Sequence, residues 1–133
     1  MKELFGASVS VAVPARPDFV SVLRSVTAGV AARLDYSFDG IDDLRIAVDE
    51  ACAQLLAAAP HAGELRLRLT PDEGGLEVVA SISADGVQWP PPNVEASLAW
   101  QILAALADET AFETVDGSPA LRLRKDLPNG DGR

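Results

Sequence analysis

The stretch Leu44-Arg45-Ile46-Ala47-Val48-Asp49-Glu50-Ala51-Cys52-Ala53-Gln54 decides how the chain is read. Leu44, Ala47, Val48, Ala51 and Cys52, continued by Leu55, recur at steps of three and four, the spacing of one face of an α-helix. The opposite side is polar: Asp43, Glu50 and Gln54, at offsets of seven and four, share it, with Asp49 beside them. Ser37 or Asp39 can cap the start, and Pro60 bars continuation. A helix with one apolar face requires another layer to cover it.

Working outward, the preceding segments supply part of that layer. Ser8 to Val13 alternates with period two and stops at Pro14, which predicts a strand with Val9, Val11 and Val13 facing the core. From Pro17, a first-turn residue, Phe19, Leu23, Val26, Val30 and Leu34 form an apolar stripe, predicting a helix of about four turns. Downstream, Leu65, Leu67 and Leu69 alternate with Arg66 and Arg68. A turn over Pro71 to Gly75 follows, and Leu76 to Ser83 resumes the alternation, which reads as a hairpin.

Ala84 to Asn93, with Gly86 and Pro90 to Pro92, is an irregular connection. Ala99, Ile102, Leu103 and Leu106 predict a third helix. Ala111 to Val115 and Ala120 to Lys125 flank the Asp116-Gly117 turn as a closing hairpin. The order is β-α-α-β-β-α-β-β, an α/β two-layer sandwich with helices on one face of the sheet. Residues 7–127 form a single domain in this reading, and 128–133 a flexible tail.

Composition narrows the function classes. The chain has 133 residues with 11 Lys+Arg against 20 Asp+Glu, a formal charge of −9, and 48% hydrophobic residues. A domain of this size buries about 68% of its unfolded surface and needs no metal or disulfide staple. The acidic balance, with no basic cluster, argues against nucleic-acid and anionic-membrane surfaces. One cysteine, Cys52, fits a reducing cytosol. Neither a leader at Met1 to Ser10 nor an apolar run near the ~20 residues of a membrane span is expected, so the reading is cytoplasmic.

Several residues carry candidate chemistry. On the polar side of the central helix, Glu50 suits a general base or water-positioning carboxylate, and Gln54, one turn on, can present an amide oxygen to a hydrated metal. From spacing alone, a solvated helix face is the commoner meaning of such a strip. Cys52 lies on the apolar stripe and reads as a packed thiol. His61 reads as a surface loop residue, and Arg66, Arg68, Arg122 and Arg124 as solvating the outer sheet face. Trp89 and Trp100 suit either interface anchors or burial beneath the sheet.

Leu44 to Gln54 resembles the N-box helix of bacterial anti-sigma-factor serine kinases, members of the GHKL (histidine-kinase-like, Bergerat-fold) ATPases. Ile102 to Glu109, followed by a strand and Leu121 to Lys125, resembles that family's C-terminal helix and final strands. The order of elements agrees from about Val9 to Leu127. The resemblance implies a Bergerat-type mixed sheet, ATP and Mg²⁺ as cofactors, Glu50 as the activating, catalytic glutamate, and Gln54 where the family's metal-binding asparagine stands. Asp85 and Gly86, in Asp85-Gly86-Val87-Gln88-Trp89, fall where relatives carry an Asp-x-Gly-x-Gly nucleotide box.

The departures from the family are concentrated at the nucleotide. Gln54 is one methylene longer than asparagine, whereas Mg²⁺ demands near-ideal octahedral geometry. One glycine of the box is displaced. The long lid and its glycine-rich helix start are reduced to Pro90 to Ala96 and Ser97-Leu98-Ala99-Trp100, and side chains there hinder backbone N–H groups from reaching phosphate. Leu98 and Trp100 are expected to fill that cradle.

Two readings follow. In the first, the chain has lost strong ATP binding and sequesters an alternative (stress or sporulation-type) sigma factor until an anti-anti-sigma protein of STAS type displaces it. In the second, it remains an active ATP-dependent serine kinase acting on that anti-anti-sigma protein. The first is favoured because several glycine positions and the metal ligand are altered together. The resemblance also implies a homodimer.

Overall fold

The computed structural model describes residues 7–128. The tail expected at 128–133 lies, but for Pro128, outside the described residues, as do Met1 to Gly6 of the N-terminal segment. Five strands and three helices run in the order β1 (Val9–Pro14), α1 (Val20–Arg33), α2 (Phe38–Ala58), β2 (Glu64–Asp72), β3 (Gly75–Ile82), α3 (Leu98–Leu106), β4 (Glu109–Val115) and β5 (Ser118–Asp126). The element order is the one read from the sequence, and the α/β two-layer class holds. The sheet order is β1-β2-β3-β5-β4. All four pairings are antiparallel, so no parallel pair of a mixed sheet occurs among the described residues.

Register explains the core. Val11, Leu67, Ala80, Leu121 and Phe112 lie in one row across the sheet, and Val9, Leu69, Val78, Leu123 and Thr110 in the next. Because alternate side chains share a face, these rows point to the helices. Leu65, Leu67, Leu69, Leu76, Val78, Ile82, Leu121 and Leu123 are all buried. At the β1 edge burial falls away: Val13 is buried and Val11 half-buried, but Val9 is 40% exposed. The expected inward face of β1 is therefore closed only at its C-terminal end, because the strand has a neighbour on one side alone.

Helix α2 packs against β3 and β5, with α1 and α3 on its flanks. Its predicted face, Leu44, Ala47, Val48, Ala51, Cys52 and Leu55, is buried throughout. Ser37, not Asp39, is the N-cap; its Oγ accepts the Gly40 N–H at 3.1 Å. In α1 the buried row is Leu23, Thr27 and Ala31, followed by Leu34, while Phe19, Val26 and Val30 sit half-buried beside it. Thr27 is tolerated there because its hydroxyl donates to the Leu23 carbonyl at 2.8 Å.

Helix α1 ends in a Schellman turn. Asp35 occupies the left-handed region at φ 67, and the N–H groups of Tyr36 and Asp35 donate to the carbonyls of Ala31 and Ala32. The turn aims Tyr36 inward, where its hydroxyl donates to the Lys125 carbonyl on β5 at 2.6 Å. The β2–β3 strands run further than the sequence suggested: Pro71 pairs with Leu76, leaving a two-residue turn at Glu73-Gly74. At the other hairpin, Asp116 and Gly117 have φ values of 52 and 82, the signature of the predicted tight turn.

Candidate functional site

The 21 residues of α2 hold most of the candidate polar side chains. Its polar side is divided among separate partners. Asp43, near the start, takes Lys125 Nζ from β5 at 3.2 Å. Asp49 takes Arg24 Nε from α1 at 2.8 Å, tying the two helices. Glu50 and Gln54, one turn apart, meet each other: Gln54 Nε2 donates to Glu50 Oε2 at 3.1 Å, and both side chains are half-buried.

That contact orients the amide. An ionised carboxylate only accepts hydrogen bonds, so Gln54 must present its –NH₂ to Glu50 and turn its carbonyl oxygen away. Arg24 on α1 and Lys125 on β5 are held by Asp49 and Asp43.

Beyond Gln54 lies a cleft of about 620 Å³. The last turns of α2 contribute Gln54, Ala57 and Ala58; the connection from β3 to α3 contributes Gly86, Val87, Gln88, Pro91 and Pro92. No side chain among these is charged. Gly86 has φ 68 and open space where a Cβ would stand, so its role is backbone conformation rather than close approach. Asp85 lines an adjoining cleft of about 310 Å³ with Pro60, His61 and Ala62, and Ala58 and Val87 line both clefts. Thus Gln54 and Gly86 share a cleft, Glu50 touches Gln54, and Asp85 lines the adjoining cleft.

The start of α3 is closed in a different manner from that expected. Ser97 is the N-cap, its Oγ accepting the Trp100 N–H at 3.2 Å and donating to the Val94 carbonyl. Leu98 is 71% exposed and fills nothing. Trp100 stacks on Phe112 of β4 with centroids 5.4 Å apart, and Trp89 meets the same ring edge-on at 5.0 Å. Trp89 Nε1 also donates to the Ala120 carbonyl at 3.0 Å. The two tryptophans therefore pin the connection and α3 to the sheet, and the cap occupies one of the backbone donors at the helix start, the Trp100 N–H.

Cys52 is fully buried and its thiol is pushed up to about 12, by burial first and then by Asp49. A thiol so protected is a packing group, as its position on the apolar stripe implied. His61 is exposed in its loop. The strand arginines do more than solvate. Arg122 pairs with Glu109 and Glu113, and Arg124 with Asp72 and Asp126. Sequence alternation placed them on the outer face but could not show their carboxylate partners: Glu109 and Glu113 on β4 for Arg122, and Asp72 on β2 with Asp126 on β5 itself for Arg124.

Taken together, these residues do not fit a magnesium-bound triphosphate. The cleft offers a triphosphate neither Lys nor Arg, and Ser97 takes one of the backbone donors at the α3 start. No group of three or more His, Cys, Asp or Glu able to hold a metal occurs among the described residues, and no described helix is long and apolar enough to cross a membrane.

Comparison with known proteins places the chain. A family model described as the histidine kinase-like ATPase domain matches residues 13–125, from β1 through β5. The chain is similar to the serine-protein kinase RsbW of Bacillus subtilis (strain 168), at 39% identity over 83 residues, 58% of this chain and 50% of the relative. It is also similar to the anti-sigma-F factor RsbW of Mycobacterium tuberculosis, at 34% identity over 102 residues, 77% of this chain and 59% of the relative. The chain spans about half the length of the curated relatives it matches.

Proposed function

The chain belongs to the histidine kinase-like ATPase domain family, and from that premise we propose that it is an anti-sigma factor. In this reading it sequesters an alternative sigma factor of the stress or sporulation type and is countered by an anti-anti-sigma protein of STAS type. ATP binding is weak or lost, the domain extends over residues 7–127, and the chain works as a homodimer in the cytoplasm.

The relatives named anti-sigma-F factor and serine-protein kinase support the partner class. The observation that carries the non-catalytic half is the uncharged cleft between Gln54 and Gly86. The surface charge suits the partner. Sigma factors contact DNA through basic surfaces, and a domain of charge −9 gains association rate and selectivity against them.

The test is transcription in vitro by RNA polymerase carrying the cognate sigma factor, with nucleotide triphosphates added only after the protein has been mixed with sigma. Inhibition that the anti-anti-sigma protein relieves is the expected result. The serine-kinase alternative rests on the relatives of that name and on Glu50. It is separated by incubating the protein with labelled ATP and the anti-anti-sigma protein: no transfer is expected, whereas transfer abolished by Glu50→Ala would establish Glu50 as catalytic.

A further inference from the structure

We infer that β1 is the interface between two copies of this chain, its free edge pairing antiparallel with the β1 of a second copy so that the two sheets run on as one. The inference rests on the homodimer reading above and gives it a surface.

β1 stands at one end of the sheet order, so among the described residues it has a strand on one side only. The Ala15 N–H donates to the Gly63 carbonyl at 3.1 Å, on the β2 side. Because backbone polar groups point to alternate sides along a strand, Val13, Val11 and Val9 bond to β2, and Ala12 and Ser10 turn theirs to the free edge. β2 agrees: the Glu64 carbonyl serves β3, accepting the Ser83 N–H at 2.9 Å, which leaves Leu65, Leu67 and Leu69 for β1. Pro14, in phase with Ser10 and Ala12, fits for the same reason, since β2 does not need its missing N–H.

An open edge is a template for pairing, and natural sheets guard it with charge, a bulge or a cover. β1 reads Val-Ser-Val-Ala-Val-Pro and is the only strand of the described sheet with no charged residue. The opposite edge strand, β4, carries Glu109 and Glu113. Pairing with β2 is unbroken from Val9 to Pro14, so no bulge twists the β1 edge away.

Helix α1 adds apolar surface beside this edge. Successive helical residues are about 100° apart, so Val22 and Arg24 leave the buried Leu23 on opposite flanks. Arg24 reaches Asp49 on α2, which puts Val22 on the flank away from α2, the β1 side. Val22 is 42% exposed and Val9 40%.

Charge selects the occupant. A chain of −9 repels its own copy over most of its surface, and the uncharged strand is where two copies meet without opposed carboxylates. A basic partner finds no carboxylate on β1 to pair with. A two-fold axis uses both free edges, so assembly stops at two.

The test combines sedimentation equilibrium with amide exchange on the full chain. The wild type is expected to sediment as a dimer. In that dimer the Ser10 and Ala12 amides should exchange at least about tenfold more slowly than in a free peptide. Ser10→Pro removes an outward N–H and leaves the β1–β2 ladder alone, so it should give a folded monomer. A wild type that is monomeric throughout overturns both this inference and the homodimer reading. A dimer whose Ser10 and Ala12 amides exchange at the free-peptide rate, or one that survives Ser10→Pro, overturns the β1 interface alone. The wild-type exchange decides the matter even where the proline variant does not fold.

Discussion

Arg124 on β5 grips Asp72, at the end of β2, through two hydrogen bonds: Nη1 to Oδ2 at 2.7 Å and Nη2 to Oδ1 at 3.0 Å. The same Oδ1 accepts the backbone N–H groups of Gly74 and Gly75 at 2.9 and 3.0 Å. One carboxylate thus closes the β2–β3 turn and fastens it to a strand 52 residues away.

Acid should weaken this junction. The Arg124 hydrogen bonds, helped by those from Gly74 and Gly75, hold the Asp72 carboxyl down to about 2, against an ordinary value of 3.8. Because the folded value is the lower one, the stabilisation is fully present above the ordinary value and is lost as pH falls through about 2. Asp72 is 49% exposed, so solvent screening limits the contribution to about 1 kcal/mol. Urea unfolding should show Asp72→Asn less stable by about that amount at neutral pH, with the difference from wild type shrinking as pH falls from 4 to 2.

The same corner constrains Gly75. A Cβ built there comes within 2.8 Å of Asp126 Cα and closer still to the Lys125 carbonyl oxygen, both backbone atoms of β5 that cannot step aside. Gly75→Ala should destabilise by roughly 1 to 3 kcal/mol, the usual cost of overpacking. Gly63→Ala, where a Cβ meets nothing within 4 Å, is the control that should leave the unfolding midpoint nearly unchanged.

Cys52 gives a prediction at the alkaline end. Its thiol ionises at about 12 when folded against 9.0 when free, burial being the main cause. The raised value means that the unfolded chain loses its proton first, so stability is whole below pH 9 and declines as pH rises towards 12. Cys52→Ala should show a smaller decline over that window in chemical denaturation. At neutral pH a thiol reagent should label the wild-type protein only as fast as it unfolds.

The sequence made α2 legible because a single period governs it: all six residues assigned to its buried face are buried, and both its cap and its stop were visible as Ser37 and Pro60. Helix α1 was less so, since Thr27 enters the buried row by satisfying its hydroxyl within its own helix, which hydropathy does not register. Proline misled at Pro71, where the strand continues through a residue that usually ends one.

At the candidate site, neighbouring positions in sequence parted in space. Asp85 and Gly86 line adjoining clefts that share Ala58 and Val87, and Gly86 between them takes a φ of 68. Helical spacing put Glu50 and Gln54 side by side, but only the structure shows that the Gln54 amide nitrogen donates to Glu50. The Arg124–Asp72 clasp had no signal in either segment alone, since each residue reads by itself as an exposed charge.

The central claim is that the domain holds a sigma factor without help from nucleotide. The direct measurement is the affinity of the full chain for each alternative sigma factor of its host, by surface interferometry, after exhaustive removal of nucleotide and then with Mg²⁺ and ATP restored. The account predicts tight binding to one sigma factor, unchanged by ATP and released by the anti-anti-sigma protein. Binding that appears only when Mg²⁺ and ATP are present, or no sigma factor bound in either condition, would contradict it.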